Sequence, residues 1–244
     1  MTTRGVALNV VEFVGQWRRA AHAAVSGAVV ASAALLAVPA PAALAAPCSD
    51  VEVIFARGSG EPTGLGGTGQ AFVDQLRPLV GTKTFAVYPV NYPASDDFGS
   101  PAFPATVVDG VRDAADHLQA TAANCPDTRI VLGGFSQGAA VAGFVTANAV
   151  PEGVPAAAVP QPLPPEVASH VAAVVLFGKP SDQFMQRYRA PQLTVGPLYA
   201  PNTLEICAPG DPVCGPGGND RAHSQYAVNG QTAQGADFVA GKLA

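Results

Sequence analysis

Positive charge is scarce in this chain. Of its 244 residues only 13 are Lys or Arg, three of them lysines, and they are scattered rather than gathered into a stripe. Asp and Glu number 18, for a formal net charge of −5. That balance leaves no electrostatic footprint for a polyanion, so nucleic acid is excluded as a partner. Cys-x-x-Cys pairs are also absent, and His223 is the only histidine near Cys214, which argues against a zinc site. There is no internal repeat. What is abundant is apolar material: hydrophobic residues make up 48% of the chain, enough for one full core.

The N-terminus has the order of an export signal. Arg18-Arg19 precede an apolar and small-residue run from Ala20 to Ala46, and Ala43-Leu44-Ala45 offers an A-x-A cleavage site. The expected division is a signal peptide over 1–45 and one domain over 46–244. Cleavage removes Arg4, Arg18, Arg19 and Glu12, three positive charges and one negative, and takes the formal charge from −5 to −7. An uncleaved membrane anchor is the rival reading, because the run approaches the length that spans a bilayer.

All four cysteines, Cys48, Cys125, Cys207 and Cys214, follow this segment, and an even count in an exported chain favours disulfides. Three pairings are open. Cys207 with Cys214 closes a short loop and is the cheapest in closure entropy, which would leave Cys48 with Cys125.

Short apolar runs bounded by glycine or proline alternate with segments of helical period, the pattern of an α/β fold with a parallel sheet. Strands are expected over 51–56, 84–90, 129–135, 172–177 and 203–207. Phe72, Leu76, Leu79 and Val80 form one apolar helical face. Val107, Val111, Ala114, Leu118 and Ala122 form another, with Asp109, Arg112, Asp113 and Asp116 turned outward and His117 on the polar side. The proline-rich stretch Val150–Pro165 reads as a surface loop within the one domain, since too little chain follows it for a second core.

The run Gly134-Phe135-Ser136-Gln137-Gly138 joins a buried strand to small, helix-forming residues. G-x-S-x-G in that context is a nucleophile elbow: the glycines let strand and helix close around a strained turn that lifts the hydroxyl out of the sheet. The plainer alternative, a serine capping an ordinary helix, does not need those glycines. A serine hydroxyl needs a general base and a group that fixes the tautomer of that base. Only His170 and His223 follow Ser136, and His170 directly precedes an apolar strand, so His223 is the candidate base. Asp211, inside Cys207-Ala-Pro-Gly-Asp-Pro-Val-Cys214, is the candidate orienting carboxylate, with Glu205 and Asp220 as the other acids nearby.

Together these pieces resemble the cutinase family of serine esterases, in its bacterial cutinase-like branch, over nearly all of the chain after the signal. The matching residues are Ala56-Arg57-Gly58-Ser59-Gly60-Glu61 after the first strand, the elbow at Ser136, the acid four residues after Cys207, and His223 twelve residues further on. The resemblance implies a minimal α/β-hydrolase with a central five-stranded parallel sheet flanked by helices and no large lid. It implies Cys48–Cys125 and Cys207–Cys214 disulfides, and no metal or organic cofactor. It also implies an oxyanion hole made by the Gln137 backbone N–H, as elbow geometry expects, and by Ser59.

The glycine-rich stretch from Gly58 to Gly69 is not a phosphate loop, because no lysine follows it and Glu61 adds negative charge. The expected protein is thus a secreted monomeric carboxylesterase acting on short- to medium-chain esters, with contact to lipid or the cell envelope left open. Its site should be open, because the chain between Ser136 and Asp211 must also supply two strands. The loop Gly215–Asp220 carries no large apolar side chain, which points away from cutin and insoluble lipid. A phospholipase or thioesterase with the same triad, or a binding protein with a vestigial site, are the alternatives.

Overall fold

The computed structural model describes residues 47–244, so the signal-peptide reading falls outside the described residues. Five strands form one parallel sheet: β1 (Val51–Ala56), β2 (Phe85–Pro89), β3 (Arg129–Phe135), β4 (Val171–Phe177) and β5 (Thr203–Ile206). Their spatial order is β2-β1-β3-β4-β5. The helices are α1 (Gly66–Leu76), α2 (Phe103–Asn124), α3 (Gln137–Val145), α4 (Pro165–Ala168), α5 (Asp182–Arg187), α6 (Asp220–His223) and α7 (Gln231–Leu243).

Helices cover both faces of the sheet, which is why β1, β3 and β4 are nearly continuous apolar runs instead of alternating ones. On one face Ile54, Leu132, Val174 and Leu176 pack with Leu118 of α2 and Val141 of α3. On the other, Val53, Phe55, Val131 and Phe177 pack with Phe72 of α1 and Val239 of α7. Adjacent residues such as Ile54 and Phe55 thus serve opposite cores, as the two-residue strand period requires.

Two helical assignments need correction. The α1 face does not continue through Leu79, which is 46% exposed. Pro78 has no N–H to extend the α-helix, and Arg77–Val80 tightens into a 3-10 turn whose different pitch carries Leu79 off the buried stripe. His117 is not a free polar-face residue. Its ring stacks on Tyr88 at 3.4 Å between centroids, and Nε2 lies 3.0 Å from Glu52 Oε1. The Thr121 hydroxyl donates to the other Glu52 oxygen at 2.8 Å. Asp113, also read as outward, accepts hydrogen bonds from the Tyr88 hydroxyl and the Asn91 N–H.

The chain leaves β1 for one side of the sheet and β3 for the other, so a crevice opens between the carboxyl ends of these two strands, where open α/β sheets bind ligands. Ser59 follows β1 and Ser136 follows β3.

Candidate active site

Ser136 sits between β3 and α3 with φ 54° and ψ −116°, a backbone conformation that non-glycine residues avoid. The turn is fixed by close approach on both sides. A Cβ at Gly134 would collide with the Gly138 carbonyl, and one at Gly138 would collide with the Ala56 carbonyl. Side chains are therefore excluded at both positions, and the strand can turn into the helix under the serine. The Ser136 hydroxyl does not cap α3; it faces His223, with Oγ 2.8 Å from Nε2.

His223 ends α6, and its Nδ1 lies 2.8 Å from Asp211 Oδ2. An ionised carboxylate only accepts, so Nδ1 carries the proton and donates, leaving the Nε2 lone pair for the Ser136 hydroxyl. The Phe135 ring flanks the imidazole at 5.0 Å. Asp211 is fully buried, and its charge is met by three donors: His223, the Val213 N–H on Oδ1 at 2.8 Å, and the Tyr226 hydroxyl on Oδ2 at 2.7 Å. The rival acids are elsewhere. Glu205 pairs with Lys179 at 2.9 Å, and Asp220 is exposed at the start of α6.

Tyr226 is the residue that sequence reasoning missed. It is completely buried, accepts from the Ala208 N–H at 2.9 Å, and so ties the Asp211 loop to the segment that carries His223. Burial first, and then its hydrogen bond to Asp211, push the phenol above its ordinary pKa against the lowering effect of the Ala208 N–H, and it stays a donor.

Ser59 and Gln137 line the same cavity as Ser136 and His223. Gln137 is the first residue of α3, so its N–H has no acceptor within the helix. The Ser59 Oγ is buried and has no hydrogen-bond partner among the described residues. The loop that presents it is fastened from within. The Arg57 guanidinium donates to the Glu61, Tyr92 and Pro93 carbonyls, and the Tyr92 hydroxyl donates back to the Arg57 carbonyl. The Glu61 carboxylate accepts from the Gly58 N–H at 2.6 Å and the Gly67 N–H at 2.7 Å. The Gly58 and Gly67 amides of this glycine-rich stretch are thus occupied by the chain's own carboxylate.

Disulfides join Cys48 to Cys125 and Cys207 to Cys214. Cys207, Asp211 and Cys214 lie close together, but the two sulfurs are bonded to each other and offer no thiolate to a metal.

A serine, imidazole and carboxylate in hydrogen-bond contact, following the strands of a five-stranded parallel sheet flanked by helices, define the class of ester hydrolases built on a minimal α/β-hydrolase fold. Residues 47–243 match the cutinase family model. The chain belongs to the cutinase family of carboxylic ester hydrolases. It is 47% identical over 222 residues to carboxylesterase Culp1 of Mycobacterium tuberculosis, covering 89% of this chain and 94% of that protein. It is 45% identical over 233 residues to phospholipase Culp4 of the same organism, covering 94% and 96%. Among solved structures it resembles the Trichoderma reesei cutinase in complex with a C11Y4 phosphonate inhibitor, at 31% identity and a TM-score of 0.61, covering 81% of this chain and 78% of that one.

Proposed function

We propose that the protein hydrolyses carboxylic esters in two steps through an acyl-Ser136 intermediate. The observation that carries this reading is the continuous relay from Ser136 Oγ through His223 to Asp211, with both contacts at 2.8 Å. His223 Nε2 takes the hydroxyl proton as Oγ attacks the ester carbonyl, and the positive charge that develops on the ring faces buried Asp211. The carbonyl oxygen becomes an oxyanion within reach of the Gln137 N–H and the Ser59 loop, where one such donor contributes roughly 3–4 kcal/mol. His223 then protonates the leaving alcohol. Water enters and attacks the acyl carbonyl as His223 Nε2 removes its proton; the acyl–Oγ bond then breaks, His223 returns that proton to Ser136 Oγ, and the acid leaves.

The resemblance to phospholipase Culp4 supports a second reading in which the ester belongs to a phospholipid. The same relay would serve it. Export to an oxidising compartment accords with the pairing of all four cysteines and with the order of the N-terminal segment.

The test combines labelling with turnover. A fluorophosphonate should label Ser136 stoichiometrically, and Ser136→Ala should abolish both labelling and p-nitrophenyl butyrate hydrolysis with little change in the thermal transition. Asp211→Asn should lower kcat by about four orders of magnitude, as loss of the orienting carboxylate does in such triads. Glu205→Gln and Asp220→Asn should leave kcat within about twofold of wild type. Turnover retained in Ser136→Ala would refute the mechanism.

A further inference from the structure

A second cavity opens at the pole of the sheet opposite the triad, where the strands begin. It encloses about 360 Å³. The pairing of β4 with β5 starts at Val174 and Thr203, so the edge of Val171–Ala173 that faces β5 has no strand beside it. The cavity occupies that gap. Leu198 and Asn202, from the chain leading into β5, line it together with Arg129, the first residue of β3, and Lys242 of α7. Arg129 and Phe135 are the two ends of β3, and at about 3.3 Å per residue they stand about 20 Å apart. The cavity is therefore remote from the elbow at Ser136.

Its charge runs against that of the molecule. With Arg4, Arg18, Arg19 and Glu12 set aside, 10 of the 13 Lys and Arg and 17 of the 18 Asp and Glu remain, yet two cations and no carboxylate line this cavity. Neither cation forms an ion pair among the described residues. Neutral acceptors hold them instead. The Lys242 ammonium donates to the Pro201 carbonyl at 3.1 Å and to Asn202 Oδ1 at 2.9 Å, and the Arg129 guanidinium donates to the Lys242 carbonyl at 3.1 Å. These bonds fix both side chains without cancelling either charge, and they leave most of the guanidinium donors unused. The ordering of two long side chains, which binding would otherwise have to overcome, is already in place. Ser169 also lines the cavity, but its hydroxyl is turned to the Glu166 carbonyl. The remaining wall is hydrocarbon, from Pro165 and Ala168 of α4, from Val171, and from Leu198, which is 52% exposed.

We infer that this cavity is a second ligand site, separate from the catalytic one, for a small organic anion: an acidic head on a short hydrocarbon body. The head lies between Arg129, whose planar fork matches two oxygens of a carboxylate or phosphate, and Lys242, which acts as a point charge. The body lies against Leu198, Pro165 and Val171. A bare inorganic ion would leave this apolar wall uncovered, whereas the enclosed volume is of the size at which small-molecule sites begin, roughly 300 Å³. Two sources offer such an anion. A carboxylate is the acid half of a cleaved ester, and a phosphate monoester is what a phospholipid leaves when its acyl chains are removed. The site stands whether or not Ser136 is the nucleophile.

The test is a titration followed by amide chemical shifts in the 15N-labelled protein. Hexanoate and hexyl phosphate are the probes, and 1-hexanol and inorganic phosphate each keep only one half of the ligand. Saturable shifts are expected at the Val171, Ala172, Leu198 and Lys242 amides, distinct from any at Gln137 and Phe144 in the catalytic cavity. Affinity for the better probe should exceed that for either control by about fivefold or more, the worth of burying one or two methylenes. Tighter binding of hexanoate identifies the acid half of the ester as the source, and tighter binding of hexyl phosphate identifies the phospholipid fragment. Arg129→Gln should weaken binding by about tenfold through loss of a charge-assisted hydrogen bond, and Arg129→Lys should recover part of it. Lys242 also fastens Asn202, so the second variant is Leu198→Asp, which brings a carboxylate to the cavity from an exposed position. It should abolish binding while the thermal transition and butyrate turnover stay at their wild-type values. No saturable shift at these amides, binding unaffected by both Arg129→Gln and Leu198→Asp, or a control that binds as tightly as the probes would overturn the site.

Discussion

The Tyr226 hydroxyl donates to Asp211 Oδ2 at 2.7 Å, the same oxygen that faces His223 Nδ1. The Asp211 carboxylate is therefore held through the same oxygen that accepts from the imidazole, while the Val213 N–H holds the other. Tyr226→Phe keeps the buried ring and its packing against Phe135 and Phe177 while removing the donor. A hydrogen bond to a charged group contributes about 1.5–3 kcal/mol, and where part of that is felt only at the transition state kcat should fall by about tenfold, with KM within twofold. Steady-state kinetics beside a thermal melt checks this. A wild-type kcat in a folded variant would assign Tyr226 to packing alone.

The two disulfides should separate stability from turnover. Cys48–Cys125 spans 77 residues of chain and Cys207–Cys214 spans 7, so chain entropy assigns them about 4.5 and 2.5 kcal/mol respectively. Replacing the first pair by serines should lower the denaturation midpoint more. Replacing the second should lower kcat more, by up to about a hundredfold, because an ångström of freedom at Asp211 misplaces the carboxylate. Urea titrations and kinetics on both double variants give the comparison. An unchanged kcat without Cys207–Cys214 would show that Tyr226 and the Val213 N–H hold Asp211 unaided.

Glu52 gives a pH-dependent signature far from Ser136. Burial works to raise its pKa, but the hydrogen bonds from His117 and Thr121 outweigh it, and the net shift is downward. A folded-state pKa below the unfolded value, about 4.3, means that the contribution is complete above that value and is lost as pH falls through the folded one. The difference in Tm between wild type and Glu52→Gln should be largest above about pH 5 and shrink below about pH 4. Melting curves across that range test it, and a difference independent of pH would remove Glu52 as the source.

The features legible in the sequence are those whose cause is local. The elbow announces itself because Gly134 and Gly138 are demanded by atoms within a few residues or on the adjacent strand, and the strands because burial on both faces leaves unbroken apolar runs. Asp211 could be chosen over Glu205 and Asp220 because a cross-linked loop brackets it. Tyr226 gave no such signal. Its partnership with Asp211 exists only once the turn after α6 packs over Phe135 and Phe177, and no spacing in the chain encodes that. The cavity beside Ser136 was hidden for a related reason: Val107 and Val111, which line it, have the same period whether they face solid core or open space. The proline-rich segment showed where regular structure stops, not what its apolar side chains enclose.

The backbone at Ser136 has a last consequence. At φ 54° glycine is at ease and serine is not, so the residue there opposes the stability of its own turn. Ser136→Gly would relax the elbow and yield a sturdier, inert protein. Random variation selected for heat resistance alone would drift toward that exchange, whereas selection that also demands turnover must keep the less comfortable side chain and find its robustness at sites away from the crevice.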